Sequence, residues 1–372
     1  MLRYWLAVAL ALTSTAGGTP VTAQTITVDG LRLTVTAFDV ADTRSVGGND
    51  RGPALAVLDD GTLILGGGSR GGSVWTWSET NPQLRLAANI MNSSERIRDS
   101  RFAITDIAVL SQSATSADLL ISYPRLNGGK CVEVVVHRAS LNRVTNTLTK
   151  QERWFRSKPC VPISAVQHAA GRMEVINATA AYLTVGDLGY SAIDNRKKRG
   201  DLGSIFRITK SAVRKVSSGH RNPQGITLVN GSTLMASEHG PRGGDEINII
   251  KQNRDYGWPF VTYGEPYSSG DYVIPRRTGT HAGYVEPITY WVPSIAPTEL
   301  NQLPKTGYGQ FSGGLVMGTL REEVLVFMSL DGTKITKKAQ VSVGARIRDL
   351  DTLPDDRLIA TTDDGRLLIV SA

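Results

Sequence analysis

The densest polar cluster in the chain is Gly219-His220-Arg221-Asn222-Pro223-Gln224-Gly225. Arginine, asparagine and glutamine braced by proline and glycine suit a rigid loop that reads a planar, acidic, carbonyl-bearing ligand. Arginine grips carboxylates through two parallel hydrogen bonds, and the amides offer paired donors and acceptors. A plain loop of turn residues is the alternative. A second segment, Glu238-His239-Gly240-Pro241-Arg242-Gly243-Gly244-Asp245-Glu246-Ile247-Asn248, follows a strand-like run. Backbone carbonyls exposed in a Gly-Pro turn can ligate a hard cation such as calcium, which prefers oxygen. Asp245 and Glu246 serve equally as ligands or as turn supports. An imidazole titrates near neutrality and so can move protons, but a lone histidine such as His168 is more often structural. Arg346 and Arg348 would share one face of a strand; with no ligand they read as a solvated face. His137, His220, His239 and His281 show no partner logic in the sequence, and His239 reads as a rim residue.

These residues need a frame, and the frame is repetitive. Six hairpin signals recur, each a β-rich run followed by a second run after a turn. Thr62-Leu63-Ile64-Leu65 precedes Ser73-Val74-Trp75-Thr76-Trp77, and comparable first runs start at Leu119, Tyr182, Leu234, Leu315 and Leu358. Six four-stranded units of this size predict an all-β, six-bladed β-propeller rather than a sandwich or β-helix. The polar clusters follow or precede these runs, which places them on one rim. No Pro/Ser-rich linker divides residues 25–372, so one domain is expected. The long Gly/Tyr/Pro-rich segment from Pro259 to Pro287 sits where the repeat spacing is widest. It reads either as a loop beside the central channel or as a surface excursion. Gly66-Gly67-Gly68-Ser69-Arg70-Gly71 fits a dinucleotide fingerprint but leads into a strand, not a helix, so it is expected to be a hairpin turn.

Composition narrows the class. The 372 residues are 41% hydrophobic, ample for a large core and unlike a disordered chain. Residues 1–24 read as a signal peptide: Arg3, an apolar run from Trp5 to Leu12 too short to span a bilayer, and a small-residue cleavage site at Val21-Thr22-Ala23. The protein is therefore expected to be exported, periplasmic or secreted, with no stable membrane insertion. In that setting the two cysteines, Cys131 and Cys160, favour a disulfide over two free thiols. The net charge is +7, but basic residues are scattered except for Arg196-Lys197-Lys198-Arg199, expected to be a solvated loop. No basic stripe with interleaved aromatics suggests nucleic acid.

The cluster at 219–225, the stretch at 238–248 and Tyr256-Gly257-Trp258-Pro259 together resemble the signature of the soluble glucose dehydrogenase and aldose sugar dehydrogenase family. The resemblance continues upstream to His168-Ala169-Ala170-Gly171-Arg172 and Gly186-Asp187, and downstream through Pro293-Ser294-Ile295-Ala296-Pro297, Gly318-Thr319-Leu320-Arg321 and Arg346-Ile347-Arg348-Asp349. It implies a propeller that binds pyrroloquinoline quinone and calcium, and oxidises an aldose or related alcohol or hemiacetal at C1. By this resemblance His168 is the general base and Asp187 the carboxylate that orients it. Arg221 stands beside the reactive quinone carbonyl, where negative charge develops. Asn222, Gln224, Ser294, Arg321, Arg346 and Arg348 are implied cofactor contacts. The Gly240 and Pro241 carbonyls are implied ligands of a calcium that acts as Lewis acid.

The substrate half departs from the family. Its substrate-lining segment has no counterpart in Arg101-Phe102-Ala103-Ile104-Thr105-Asp106-Ile107. Gln167 stands where the glucose enzymes carry a carboxylate, and Leu188-Gly189-Tyr190 replaces a polar run. Glucose specificity is therefore not implied, and the electron acceptor is not named by any motif. Two other readings compete: a non-catalytic propeller that binds a carbohydrate or protein on the same rim, and a calcium-dependent lactonase-type hydrolase. The hydrolase would need carboxylate or amide side chains converging on the metal from several blades, and the Gly-Pro turn speaks against it.

Overall fold

The computed structural model describes residues 20–163 and 168–372. Gln167 and most of the expected signal peptide lie outside the described residues. Six antiparallel sheets stand around a central axis, each running from an inner to an outer strand. The inner strands are Ala54–Val57, Asp106–Gln112, Ala170–Asn177, Pro223–Val229, Pro297–Gln302 and Ile347–Thr352, for blades 1 to 6 in that order. Each inner strand neighbours the next, and blade 6 neighbours blade 1. The six predicted hairpins are the second and third strands of these blades, for example Leu63–Gly67 with Ser73–Ser78. The inner strands give no hairpin signal in the sequence, because they carry buried polar residues such as Asp106, Arg172, Glu299 and Asp349.

Why the hairpin strands read as unbroken apolar runs is clear from their packing. Successive strand side chains point to opposite faces, and in a blade both faces meet another blade. Ile64 packs towards blade 2, with Leu119 and Ile121. Leu63 and Leu65 pack towards blade 6, with Ile359 and Leu367. The same logic gives one apolar cluster for each of the other four interfaces, around Leu183 and Phe206, Ile205 and Ile226, Met235 and Met317, and Val316 and Leu358.

The ring closes through the two ends of the chain. Leu31–Asp39 pairs antiparallel with Arg366–Ser371, from Thr34↔Ser371 to Asp39↔Arg366. Outside it, Thr22–Val28 pairs with Leu31–Asp39. The first two residues of that outermost strand precede the expected cleavage after Ala23. Cys131 and Cys160 form a disulfide with Cα atoms 5.5 Å apart, tying the third strand of blade 2 to the segment that leaves it. The glycine-rich run expected to be a hairpin turn is one from Gly68 to Gly71, whereas Gly66 and Gly67 still belong to the strand before it. No helix among the described residues is long and apolar enough to cross a membrane.

Blade 4 carries the long excursion. Between its third strand, Asp245–Ile249, and its outer strand, Thr289–Trp291, the chain returns to blade 3, where Arg254–Asp255 pairs with Val213–Ser218. It then forms a small parallel pair, Val261–Thr262 with Arg277–Thr278, on the rim from which the inner strands start. The run at 196–199 is only partly the solvated loop expected. Arg196, Lys197 and Lys198 are exposed, but Arg199 is buried, with Nη2 3.6 Å from Asp255 and 3.3 Å from Ser218 Oγ.

Candidate active site

The inner strands run the same way around the axis, so the residues that lead into them share one rim. His168 leads into blade 3, Arg221 into blade 4, Ser294 into blade 5 and Arg346 into blade 6. Asp187 joins them from the far end of the second strand of blade 3, Ala180–Val185. The close approach depends on Gly186, where a Cβ would fall 1.8 Å from His168 O. His168 itself holds φ of 45°, a left-handed backbone unusual for a side chain of its size.

Asp187 is fully buried and serves as an acceptor on all sides. His168 Nδ1 lies 2.9 Å from Oδ1, which also accepts the Gly189 N–H at 2.8 Å. Oδ2 accepts Trp258 Nε1–H at 2.7 Å and the Tyr272 hydroxyl. Burial alone would raise this carboxyl, but His168, Arg221 and Tyr272 outweigh it and hold Asp187 below the usual carboxylate range. An ionised Asp187 accepts only, so the network places the histidine proton on Nδ1 and leaves Nε2 as a base. Nε2 faces Arg221 Nη2 at 3.2 Å. Burial, helped by the Arg221 charge and opposed by Asp187, lowers the His168 imidazole below its ordinary value. It is therefore neutral at pH 7.

Arg221 is 5% exposed and links the base to the Gly-Pro turn. Its Nη1 donates to Gly240 O at 2.6 Å, its guanidinium lies 5.4 Å from the Trp258 ring, and its Nε is buried without a partner. Gly240 is required here because a Cβ would meet Gly243 O at 2.2 Å. Pro241 O accepts the Tyr267 hydroxyl at 3.1 Å. Below the turn, Glu238 binds the Arg221 N–H at 3.0 Å, His220 Nδ1 at 2.9 Å and Asn248 Nδ2 at 3.0 Å. Asp245 proves to be a turn support: it accepts Gly240 N–H, Ser294 Oγ–H, and the Ile295 and Ala296 N–H groups.

The remaining expected contacts divide into two groups. Asn222 and Gln224 are buried side by side, with Gln224 Nε2 donating to Asn222 Oδ1 at 2.8 Å and Gln224 Oε1 left without a partner. Arg346 and Arg348 do share a side, since both bind Asp363: Arg346 Nε at 2.9 Å, Arg348 Nε and Nη2 at 2.8 Å each. Burial would raise the Asp363 carboxyl, yet these arginines hold it at about 2. Ser294 is turned to Asp245, and Arg321 is exposed.

Several residues were not legible. The excursion from blade 4 is part of the site, supplying Tyr272 to Asp187 and Tyr267 to Pro241; its aromatic richness was the available signal. The histidines thought to lack partners all have them. His220 bonds Glu238 and Ser217, His281 Nε2 lies 2.7 Å from Glu246 Oε1, His239 Nε2 lies 2.6 Å from Pro297 O, and His137 meets the Tyr123 hydroxyl. The unmatched segment at 101–107 is core: Phe102 and Ile104 are fully buried. Under the rim, Arg172 is sealed from solvent with Asp349 at 2.7 Å, Glu299 at 3.3 Å and Asp106 at 3.7 Å.

Residues 50–369 match the family model described as Glucose / Sorbosone dehydrogenase. The chain belongs to the glucose/sorbosone dehydrogenase family. Aldose sugar dehydrogenase YliI of Escherichia coli (strain K12) is 31% identical over 340 residues, covering 86% of this chain and 89% of the relative. Quinoprotein glucose dehydrogenase B of Acinetobacter calcoaceticus is 27% identical but covers only 35% of this chain and 33% of the relative. In structure, the apo-form of the soluble Escherichia coli aldose sugar dehydrogenase superposes with a TM-score of 0.75 at 26% identity, over 91% of this chain and 99% of that one. The PQQ-bound aldose sugar dehydrogenase of Streptomyces coelicolor, at 21% identity and a TM-score of 0.65 over 91% and 98% of the two chains, shares the fold. The glucose/sorbosone dehydrogenase assignment thus spans all six blades, whereas the motif resemblance reached only residues 165 to 365.

Proposed function

We propose that this member of the family is an exported quinoprotein that oxidises an aldose, or a related alcohol or hemiacetal, at C1 using pyrroloquinoline quinone. The observation that carries the reading is the chain Asp187–His168–Arg221 on the rim where the inner strands start, with the cationic pair Arg346 and Arg348 on the same rim. The donor set suits a planar polycarboxylate. Arg346 and Arg348 offer its carboxylates the guanidinium N–H groups that Asp363 leaves free, and Asn222 and the orphaned Gln224 oxygen offer amide contacts. When bound, the quinone supplies an electrophilic carbonyl carbon that accepts a hydride.

The protein's own part is proton handling and charge. His168 Nε2 takes the proton of the substrate hydroxyl while the C1 hydrogen departs with its electron pair. Asp187 keeps the imidazole in the tautomer that permits this and stabilises the imidazolium that forms. For Nε2 to receive a hydroxyl, Arg221 Nη2 must turn from it. That guanidinium then lies free to stabilise negative charge growing on an adjacent oxygen. Trp258 and Tyr272 cover Asp187 and keep water from it.

Calcium belongs to the same reading. Gly240 O and Pro241 O would hold the ion, each already accepting one protein donor and each retaining a second lone pair. No acidic or histidine cluster of metal-binding form occurs among the described residues, so the ion would rest on backbone oxygens and on the cofactor itself. The bound ion would add Lewis-acid polarisation. The disulfide and the apolar N-terminal run support an oxidising, exported setting.

Reconstitution tests the proposal. Purified protein is titrated with pyrroloquinoline quinone and calcium, cofactor absorbance is followed, and dye reduction is measured with aldoses. His168→Ala should retain the cofactor and lose turnover. Absence of cofactor binding would sink the quinoprotein reading. Binding without dye reduction on any sugar or alcohol would favour a carbohydrate- or protein-binding propeller.

A further inference from the structure

Blades 3 to 6 each place a functional candidate within three residues of the start of the inner strand: His168, Arg221, Ser294 and Arg346. In blade 1 that position belongs to Arg51, three residues before Ala54. Arg51 lies in none of the motifs that carry the family resemblance, though it falls within the matched span of residues 50–369. Its backbone is pinned by reciprocal bonds with Ser45, at 2.8 and 2.9 Å. The next residue, Gly52, donates its N–H to Asp363 Oδ1 at 3.0 Å, and a Cβ on Gly52 would lie 3.2 Å from Arg348 Cβ. Arg51 is therefore fixed beside the Arg346–Asp363–Arg348 group.

What distinguishes Arg51 is that its side chain makes no hydrogen bond or ion pair, although Asp363 and Asp349 lie near enough to act on its charge. Arg346 and Arg348 share Asp363, and Arg172 has Asp349 and Glu299. The Arg51 side chain is partly buried, its Nε is sealed from solvent, and that Nε has no hydrogen-bond partner. Burial and the charges of Arg348 and Arg172 push its guanidinium down to about 9, which still leaves it a cation at pH 7. Four guanidiniums thus converge, and the carboxylates among them are taken by the other three: Asp363 by Arg346 and Arg348, and Asp349, Glu299 and Asp106 by Arg172. A partly buried guanidinium with no partner of its own destabilises the empty protein unless an anion completes it.

We infer that Arg51 is a further binding residue of the cofactor site, supplying a third guanidinium to the carboxylates of the quinone alongside Arg346 and Arg348. The inference rests on the quinoprotein reading above. It predicts that the residue trades stability of the empty protein for affinity, opposite to what a structural arginine would do.

The test uses the full chain, free of cofactor, in calcium-containing buffer. Pyrroloquinoline quinone is titrated into wild type, Arg51→Gln and Arg51→Lys, with bound cofactor measured by equilibrium dialysis and by quenching of tryptophan fluorescence. Thermal midpoints of the three empty proteins are measured in parallel. Arg51→Gln should weaken binding on the order of tenfold or more, the loss of one charge-assisted contact, while its empty-state midpoint stays equal to or above wild type. Arg51→Lys should fall between, since it keeps the charge but not the fork. Unchanged affinity in Arg51→Gln overturns the inference, as does weaker binding accompanied by a lowered empty-state midpoint. If the wild type itself does not bind, the quinoprotein reading fails first and takes this inference with it.

Discussion

Replacing Asp187 with asparagine keeps the shape of the side chain but removes one of its two acceptor atoms. Asp187 Oδ1 serves His168 Nδ1 and Gly189 N, and Oδ2 serves Trp258 Nε1 and the Tyr272 hydroxyl. An asparagine that turns its oxygen to His168 presents NH₂ to Trp258, which is a donor only. That leaves a buried donor unpaired, at a cost of about 1–3 kcal/mol. An asparagine turned the other way satisfies Trp258 but forces His168 to take its proton on Nε2. The base is then lost, and Nε2–H confronts Arg221 Nη2. The first arrangement costs stability and the second costs catalysis, so both readouts are needed. Turnover in cofactor-loaded protein should fall on the order of 10²- to 10⁴-fold, the usual worth of a positioned base. Cofactor affinity should change little, and urea denaturation should show a stability loss of about 1–3 kcal/mol. If Asp187→Asn turns over within a few-fold of wild type while loaded and is also as stable as wild type in urea, the assignment of Asp187 and His168 as a working pair is wrong.

Tyr272→Phe removes one donor from the same carboxylate and should lower turnover by about tenfold or less with affinity for the quinone intact, as read by steady-state dye reduction. The pH profile of kcat/KM should show an acid limb with its midpoint below 6.5, because burial and Arg221 lower the His168 imidazole; activity is lost as pH falls through that midpoint. Arg221→Gln should move the His168 titration to higher pH, which NMR of the cofactor-free protein would show. Reducing Cys131–Cys160, or replacing both cysteines with serine, opens a loop of 29 residues and should cost about 3–4 kcal/mol against urea. Along the channel, burial raises the carboxyls of Glu174 and Asp351 to about 7. The folded state then holds protons that the unfolded chain releases near pH 4, so these groups make stability decline as pH rises from about 4 to 7. Urea midpoints measured across that range should show the decline in wild type and a shallower one in Glu174→Gln.

The blades were legible because their hairpin strands are apolar on both faces, as Leu63, Ile64 and Leu65 show by dividing between two neighbours. The inner strands were not, since Asp106, Arg172, Glu299 and Asp349 are polar residues whose partners come from other blades. Local pattern carries no trace of a partner 177 residues away, the separation of Arg172 and Asp349. The same limit explains Tyr272, which reaches Asp187 across 85 residues, and His281, a loop residue whose carboxylate lies on the strand Asp245–Ile249. Arg221, Gly240 and Asp187 were found because they sit in compact motifs. Arg51 was passed over because nothing in its own stretch, Gly48-Asn49-Asp50-Arg51-Gly52, sets it apart from an ordinary turn.

The pairing of Leu31–Asp39 with Arg366–Ser371 also fixes when the molecule can finish folding. The strand made almost first has to wait for the strand made last. Until residue 371 is available, blade 6 lacks half of its sheet and blade 1 has an uncovered apolar face. A chain emerging from synthesis therefore cannot lock into its final ring, however well its middle blades form. The topology itself keeps the ring open until the whole length has been made.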